Sequence, residues 1–191
     1  MEQLIQWDIA LFEVINQANV PWLDEFMFLI SEKWFWIPAY LVVLFLLKKQ
    51  YSWKKIGGIL IAVALLILCT DQITSSLLKP TVKRFRPCQV EAQLDFEVHQ
   101  VHDKCGGKYG FASSHAANFF GLATFLSLLF KRRGNSLIFL GAAILVAYSR
   151  IYLGVHYPLD VLVGGLLGGF FGWGIFFLYS RVILTFNSSG Q

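Results

Sequence analysis

An all-α bundle of transmembrane helices, with about five spans after an N-terminal amphipathic helix, is what three features of the sequence predict. Apolar residues make up 56% of the 191 and charged residues only 15%. The apolar residues fall in blocks approaching the roughly 20 residues that a bilayer crossing needs. Short basic turns separate the blocks, and Trp22, Trp34, Trp36 and Trp53 sit near their ends, where interfacial aromatics anchor a span. The whole chain, 1–191, reads as one membrane domain. Its net charge of +4 does not point to nucleic acid, because the basic residues divide between turns flanking apolar runs and one candidate site.

Residues 4–20 have a helical period interrupted by Asp8 and Glu13 and end at Pro21, the pattern of a helix lying in the interface. With no basic stretch ahead of an apolar core, this segment does not read as a cleavable signal. The first span is expected from about Phe26 to Leu47, running through Ser31-Glu32-Lys33. After the basic turn Lys48, Lys49, Lys54 and Lys55, the second runs from Ile56 to Leu78. A polar loop covers 79–110. The third span, Phe111 to Phe130, ends at Lys131-Arg132-Arg133, the fourth begins at Leu137, and the fifth runs from Pro158 to Tyr179. Pro158 suits the first turn of a helix, where no amide donor is needed.

The basic turns at 48–55 and 131–133 fall on one side of such a bundle, and the excess of Lys and Arg makes that side cytoplasmic. The 79–110 loop and the turn between the fourth and fifth spans then lie outside. Lys79, Lys83, Arg84, Arg86, Lys104 and Lys108 on that side run against the rule, and a phosphate-binding task would explain them.

The residues organising this outer face come from three segments. Ser149-Arg150-x5-His156-x3-Asp160 lies between two apolar blocks, at or near a membrane boundary; well inside a bilayer an ionised Arg or Asp would cost roughly 2.5–3.5 kcal/mol. A guanidinium to hold an oxyanion, an imidazole to attack or carry protons, and a carboxylate to orient the imidazole suit phosphate chemistry. On a helix His156 and Asp160 would face the same way. Lys79 and Arg86, seven apart, would converge on one anion if the chain between them were helical. Ser113 is a good N-cap for the third span, so the first-turn amides near Ser114 offer an anion site with His115 beside it.

Lys79-x6-Arg86-Pro87, Ser113-Ser114-His115 and Ser149-Arg150-x5-His156-x3-Asp160 resemble, in order, the three signature motifs of the type 2 phosphatidic acid phosphatase superfamily. Lipid phosphate phosphatases and vanadium haloperoxidases belong to it. The second motif departs from the usual Pro-Ser-Gly-His: Ala112 stands for Pro and Ser114 for Gly, which bears on substrate fit. The resemblance implies that His156 is the nucleophile, forming a phosphohistidine, with Asp160 fixing its tautomer. It implies that His115 is the general acid, and that Lys79, Arg86, Arg150, Ser113 and Ser114 bind the phosphoryl oxygens. It implies no metal or other cofactor. Short bacterial members, including lipid A phosphatases and undecaprenyl diphosphate phosphatases, are the nearest in size. The expected substrate is therefore a lipid phosphate met at the outer leaflet of a bacterial cytoplasmic membrane, with phosphatidylglycerophosphate a further possibility. The oligomeric state stays open.

Other residues have plainer readings. Lys83 and Arg84 are expected to meet lipid headgroups or solvent, His99 and His102 to be solvated, and Tyr157 to be an interfacial aromatic. Asp71, within the second span, serves either bundle hydrogen bonding or substrate. Gly164, Gly165, Gly168, Gly169 and Gly172 suit close packing of the last span within the bundle. Cys88 and Cys105 bracket the outer loop and can pair in an oxidising compartment; Cys69 is expected as a buried thiol. The rival functions are a phosphotransferase using the same phosphohistidine, a non-catalytic lipid-binding protein, and a serine hydrolase built on Ser113 or Ser114. A haloperoxidase is disfavoured, since those relatives are soluble.

Overall fold

The computed structural model describes residues 2–90 and 93–188, and of 183–188 the backbone alone. Eight α-helices form it: α1 (Glu2–Gln17), α2 (Pro21–Ser31), α3 (Ile37–Gln50), α4 (Trp53–Asp71), α5 (Lys79–Val82), α6 (Ser114–Phe130), α7 (Arg133–Tyr152) and α8 (Pro158–Ser188). A π-helical stretch, Gln72–Leu78, joins α4 to α5, so 53–82 is one helical rod. That rod, α7 and α8 are each long and apolar enough to cross a membrane; α2 with α3 would make a fourth crossing, and α6 is apolar but shorter.

The first span is corrected. Instead of running straight from Phe26 to Leu47, the chain breaks at Glu32 and turns by 75°. Glu32 is extended there, and a 3₁₀ turn, Lys33–Trp36, leads into α3. The break removes two charges from the middle of an apolar helix and turns them to a polar cavity, where Lys104 Nζ lies 3.4 Å from Glu32. The Ile30 carbonyl accepts a hydrogen bond from Trp36 Nε1 at 2.8 Å, which satisfies a group that the interrupted helix would otherwise leave unpaired.

α1 buries Asp8, Phe12 and Asn16 and exposes Leu4, Trp7, Leu11 and Val14. Asp8 and Asn16 face the protein beside Phe12, while the outward surface mixes these apolar side chains with the exposed Glu2, Gln6 and Glu13, as for an amphipathic helix lying in a lipid interface. Asn16 donates to the Tyr152 carbonyl at 2.8 Å and accepts from the His99 amide at 2.8 Å.

α6 and α8 set the centre of the bundle. Gly164, Gly168 and Gly172 meet the backbone of Ser113, Ala117 and Gly121, so two stripes of small residues, each spaced by four, mesh over three contacts. A Cβ at any of the three would overlap the carbonyl oxygen of Ser113, Ala117 or Gly121. This contact carries the α6 N-terminus against the start of α8, and the Ser113 amide donates to the Asp160 carbonyl at 2.9 Å. At the opposite end Leu47, Ile56, Leu129 and Phe130 share one core, which gathers the basic turns at 48–55 and 131–133 there.

A disulfide joins Cys88 to Cys105, while Cys69 is only half-buried, against the expectation of a buried thiol. The bridge closes the loop whose ends are already paired, Arg86 N–H to Lys108 O at 3.4 Å and Gly110 N–H to Arg84 O at 2.8 Å. Closing a loop of this length is worth about 3 kcal/mol in the chain-entropy model. Non-reducing peptide mapping of protein recovered from an oxidising compartment is expected to find the two cysteines linked; two free thiols would contradict the pairing.

Candidate active site

The three segments meet at the end of the bundle away from the basic turns. α7 delivers Arg150 in its last turn, and the chain then reverses through Gly154, whose φ of +72° is a conformation that favours glycine. The reversal lets the Arg150 carbonyl accept from the amides of Val155 and His156, each at 3.2 Å. His156 therefore precedes α8 instead of lying on it, which corrects the one-helical-turn picture of the His156–Asp160 pair. The two still meet, with His156 Nδ1 3.4 Å from Asp160 Oδ2.

Lys79 and Arg86 also converge by a route other than the expected helix. α5 stops at Lys83, in the left-handed region, and Arg86 arrives on an extended strand-like segment whose Phe85 bridges to Tyr109. Lys79 Nζ donates to Ser114 Oγ at 3.0 Å. Arg86 donates from Nε to the Gly107 carbonyl at 2.6 Å and from Nη1 to the Val155 carbonyl at 3.1 Å.

Two contacts fix the tautomer of His156. Arg86 Nη1 lies 3.1 Å from Nε2. A guanidinium can only donate, so Nε2 carries the lone pair. Nδ1 then bears the proton and points it at the Asp160 carboxylate. The imidazole is 2% exposed. Burial, with Arg86, Arg150, Lys79 and Arg84 around it, holds its pKa well below the ordinary imidazole range, so the ring is neutral. Burial also pulls the Arg86 guanidinium down while Asp160 pushes it back; it remains a cation.

Lys79, Arg86, Ser114, His115, Arg150 and His156 line one cavity of about 830 Å³. Ser113 and Asp160 stand behind its wall: Ser113 is fully buried and caps α6, its hydroxyl accepting from the Ala116 amide at 3.5 Å. Among the described residues, no hydrogen bond or ion pair engages the Arg150 guanidinium, and its Nε is buried without a partner. A guanidinium left so beside Lys79 and Arg86 suits an anion with several oxygens.

Several residues depart from the sequence reading. Arg84 is not a headgroup contact: it bridges Asp8, at 2.5 Å, and Asp160, at 2.8 Å, and lies over the Tyr157 ring. Tyr157 is buried against Phe12 instead of facing the interface. His99 pairs with Asp24 at 2.9 Å, whereas His102, 2.9 Å from Glu25, stays exposed as expected. Asp71 accepts a hydrogen bond from Asn118 Nδ2 at 3.0 Å and reaches the cavity. Glu32, Lys33 and Lys104 line the cavity as well. Each had a signal: Glu32 and Lys33 are a charged pair inside an apolar run, and Lys104 is a basic residue on the outer side, against the positive-inside rule.

A second, apolar cavity of about 460 Å³ shares Lys33, Asp71, Ser114 and His115 with the first and runs between α3, α4 and α6 to Leu47, Ile59 and Leu126. From Asp71 to Ile59 is twelve residues, about 18 Å of helix, comparable to one leaflet of a hydrocarbon core about 30 Å thick.

Helices able to span a membrane, with a cationic cavity lined by His115 and His156 at one end, define a membrane protein suited to hold an oxyanion. The PAP2 superfamily model matches residues 60–184, and the chain belongs to that superfamily. It is 38% identical over 188 residues to a lipid A 4'-phosphatase of Bacteroides thetaiotaomicron, covering 98% of this chain and 84% of that protein. An undecaprenyl-diphosphatase of Sulfolobus acidocaldarius is 29% identical, over 87% of this chain and 76% of its own. The crystal structure of LpxE from Aquifex aeolicus superimposes with a TM-score of 0.66 at 29% identity, covering 87% of this chain and 93% of that one.

Proposed function

We propose that this PAP2 enzyme hydrolyses a lipid phosphate, with lipid A phosphate or undecaprenyl diphosphate as substrate. In this reading it works at the outer leaflet of a bacterial cytoplasmic membrane, through a phosphohistidine on His156. The observation that carries the reading is the unpaired Arg150 guanidinium sharing a cavity with Lys79, Arg86 and a neutral imidazole whose lone pair is on Nε2. The substrate's phosphoryl oxygens compete for Arg86 and uncover that lone pair. An Nε2–P bond forms as the P–O bond to the leaving group breaks, and His115, which takes up a proton when the phosphate's negative charge enters the cavity, gives that proton to the departing oxygen. Asp160 holds the Nδ1 proton and balances the imidazolium. Water, losing a proton to His115, then attacks phosphorus, the N–P bond breaks, and inorganic phosphate leaves.

Lys79, Arg86 and Arg150 neutralise the phosphoryl charge that a metal neutralises in other phosphatases. The adjoining apolar cavity supports a lipid substrate, since a chain of one leaflet's depth fits beside the phosphate. The basic turns at the far end support an outward-facing site by the positive-inside rule. In detergent with EDTA present, the protein is expected to release phosphate from lipid A or undecaprenyl diphosphate without an added lipid acceptor. Activity only after metal is restored, or only with a second lipid to receive the phosphoryl group, would refute this mechanism.

A further inference from the structure

We propose that the N-terminal helix belongs to the catalytic apparatus: Asp8, through Arg84, is a positioning residue that sets the Asp160–His156 pair. The inference rests on the phosphohistidine reading of His156. Asp160 Oδ2 takes the Tyr157 amide at 3.1 Å and faces His156 Nδ1, and its Oδ1 takes Arg84 Nη1 at 2.8 Å. Arg84 cannot swing freely, because its Nη2 is held by Asp8 Oδ2 and its guanidinium lies 4.1 Å from the centre of the Tyr157 ring. The other Asp8 oxygen accepts the Leu159 amide at 2.8 Å. One carboxylate of α1 thus grips both the cation on Asp160 and the first turn of the helix that carries Asp160.

The chemistry explains the arrangement. Asp160 must stay ionised and fixed while His156 gains positive charge, yet it is fully buried. A single guanidinium between two buried carboxylates supplies that charge balance, and two carboxylates around one cation keep it from following a substrate phosphate into the cavity. Arg84 is absent from the cavity lining whereas Arg86, two residues on, lies in it. The two arginines therefore divide the work: Arg86 faces the phosphoryl group and Arg84 serves the carboxylate behind the nucleophile. Asp8, Phe12 and Asn16 form one stripe at four-residue spacing, and Phe12 packs edge-on against Tyr157, so the helix is held along its length.

The test is kinetic, on full-length protein in detergent, and it includes a cycle with Asp160. Asp8→Asn keeps an acceptor for Leu159 but loses the charge, and it is expected to lower kcat about tenfold with KM within twofold. Arg84→Met is expected to lower kcat at least a hundredfold, and Arg84→Lys to restore part of that loss. In an Asp160→Asn background, Asp8→Asn and Arg84→Met should each cost less than twofold further, because groups acting as one unit are not additive. Should Arg84→Met not fold, Asp8→Asn and Arg84→Lys decide alone. Losses that persist in full in the Asp160→Asn background, or an Asp8→Asn enzyme with wild-type kcat, would overturn the positioning role. A wild-type protein inert on every lipid phosphate would instead overturn the phosphatase reading on which it rests.

Discussion

Replacing His156 by alanine is expected to lower phosphate release by at least about 10³-fold, the scale seen when a nucleophile is removed and only binding and electrostatic stabilisation remain. The lipid should still bind, since Lys79, Arg86 and Arg150 stay in place. Acid-quench labelling with a phosphorus-radiolabelled substrate should trap a phosphoenzyme in the wild type and none in the variant; a variant that still carries label would place the nucleophile elsewhere. The pH dependence follows in sign from the same geometry. Burial and the surrounding cations depress the His156 pKa, so the attacking form is the neutral one and is lost only as pH falls through that depressed value. The acid limb of kcat/KM attributable to His156 is expected below about 6.5, the ordinary imidazole value. Arg86→Met, which removes the first-named of those cations, should move the limb upward. A wild-type limb at or above that value would show that the imidazole is not shielded as the structure has it.

The largest effect on stability is expected from Gly168→Leu. The added Cβ would overlap the Ala117 carbonyl, and backbone cannot turn aside as a side chain can. Overpacking costs about 1–3 kcal/mol where side chains give way, and here relief requires separating α6 from α8. That separation also draws Ser113 from the Asp160 carbonyl and spreads the site. The expected outcome is loss of folded protein in detergent, read as a collapse of the thermal transition or aggregation during purification. Gly141 provides the control: nothing lies within 4 Å of its added Cβ, so Gly141→Ala should hold or raise stability by up to about 1 kcal/mol through helix propensity. Equal tolerance of both changes would mean that the meshed stripes do not hold the bundle together.

What the sequence determined on its own was periodicity and chemistry. Apolar blocks and basic turns specify helices and their two ends because hydrocarbon leaves the backbone no partner but itself. Lys79, Arg86, His115, Arg150, His156 and Asp160 could be singled out because charged and titratable groups beside apolar blocks need a reason to be there. Tertiary structure alone decided how they meet. The turn through Gly154, the halt of α5 at Lys83 and the break at Glu32 replace the regular helices that spacing suggested, each where satisfying a buried polar group outweighs continuing a helix. The Asp8–Arg84–Asp160 bridge joins residues more than seventy positions apart, and Asp71 finds Asn118 across two helices. A local pattern carries no information about such partners, because their energy exists only after the chain has packed.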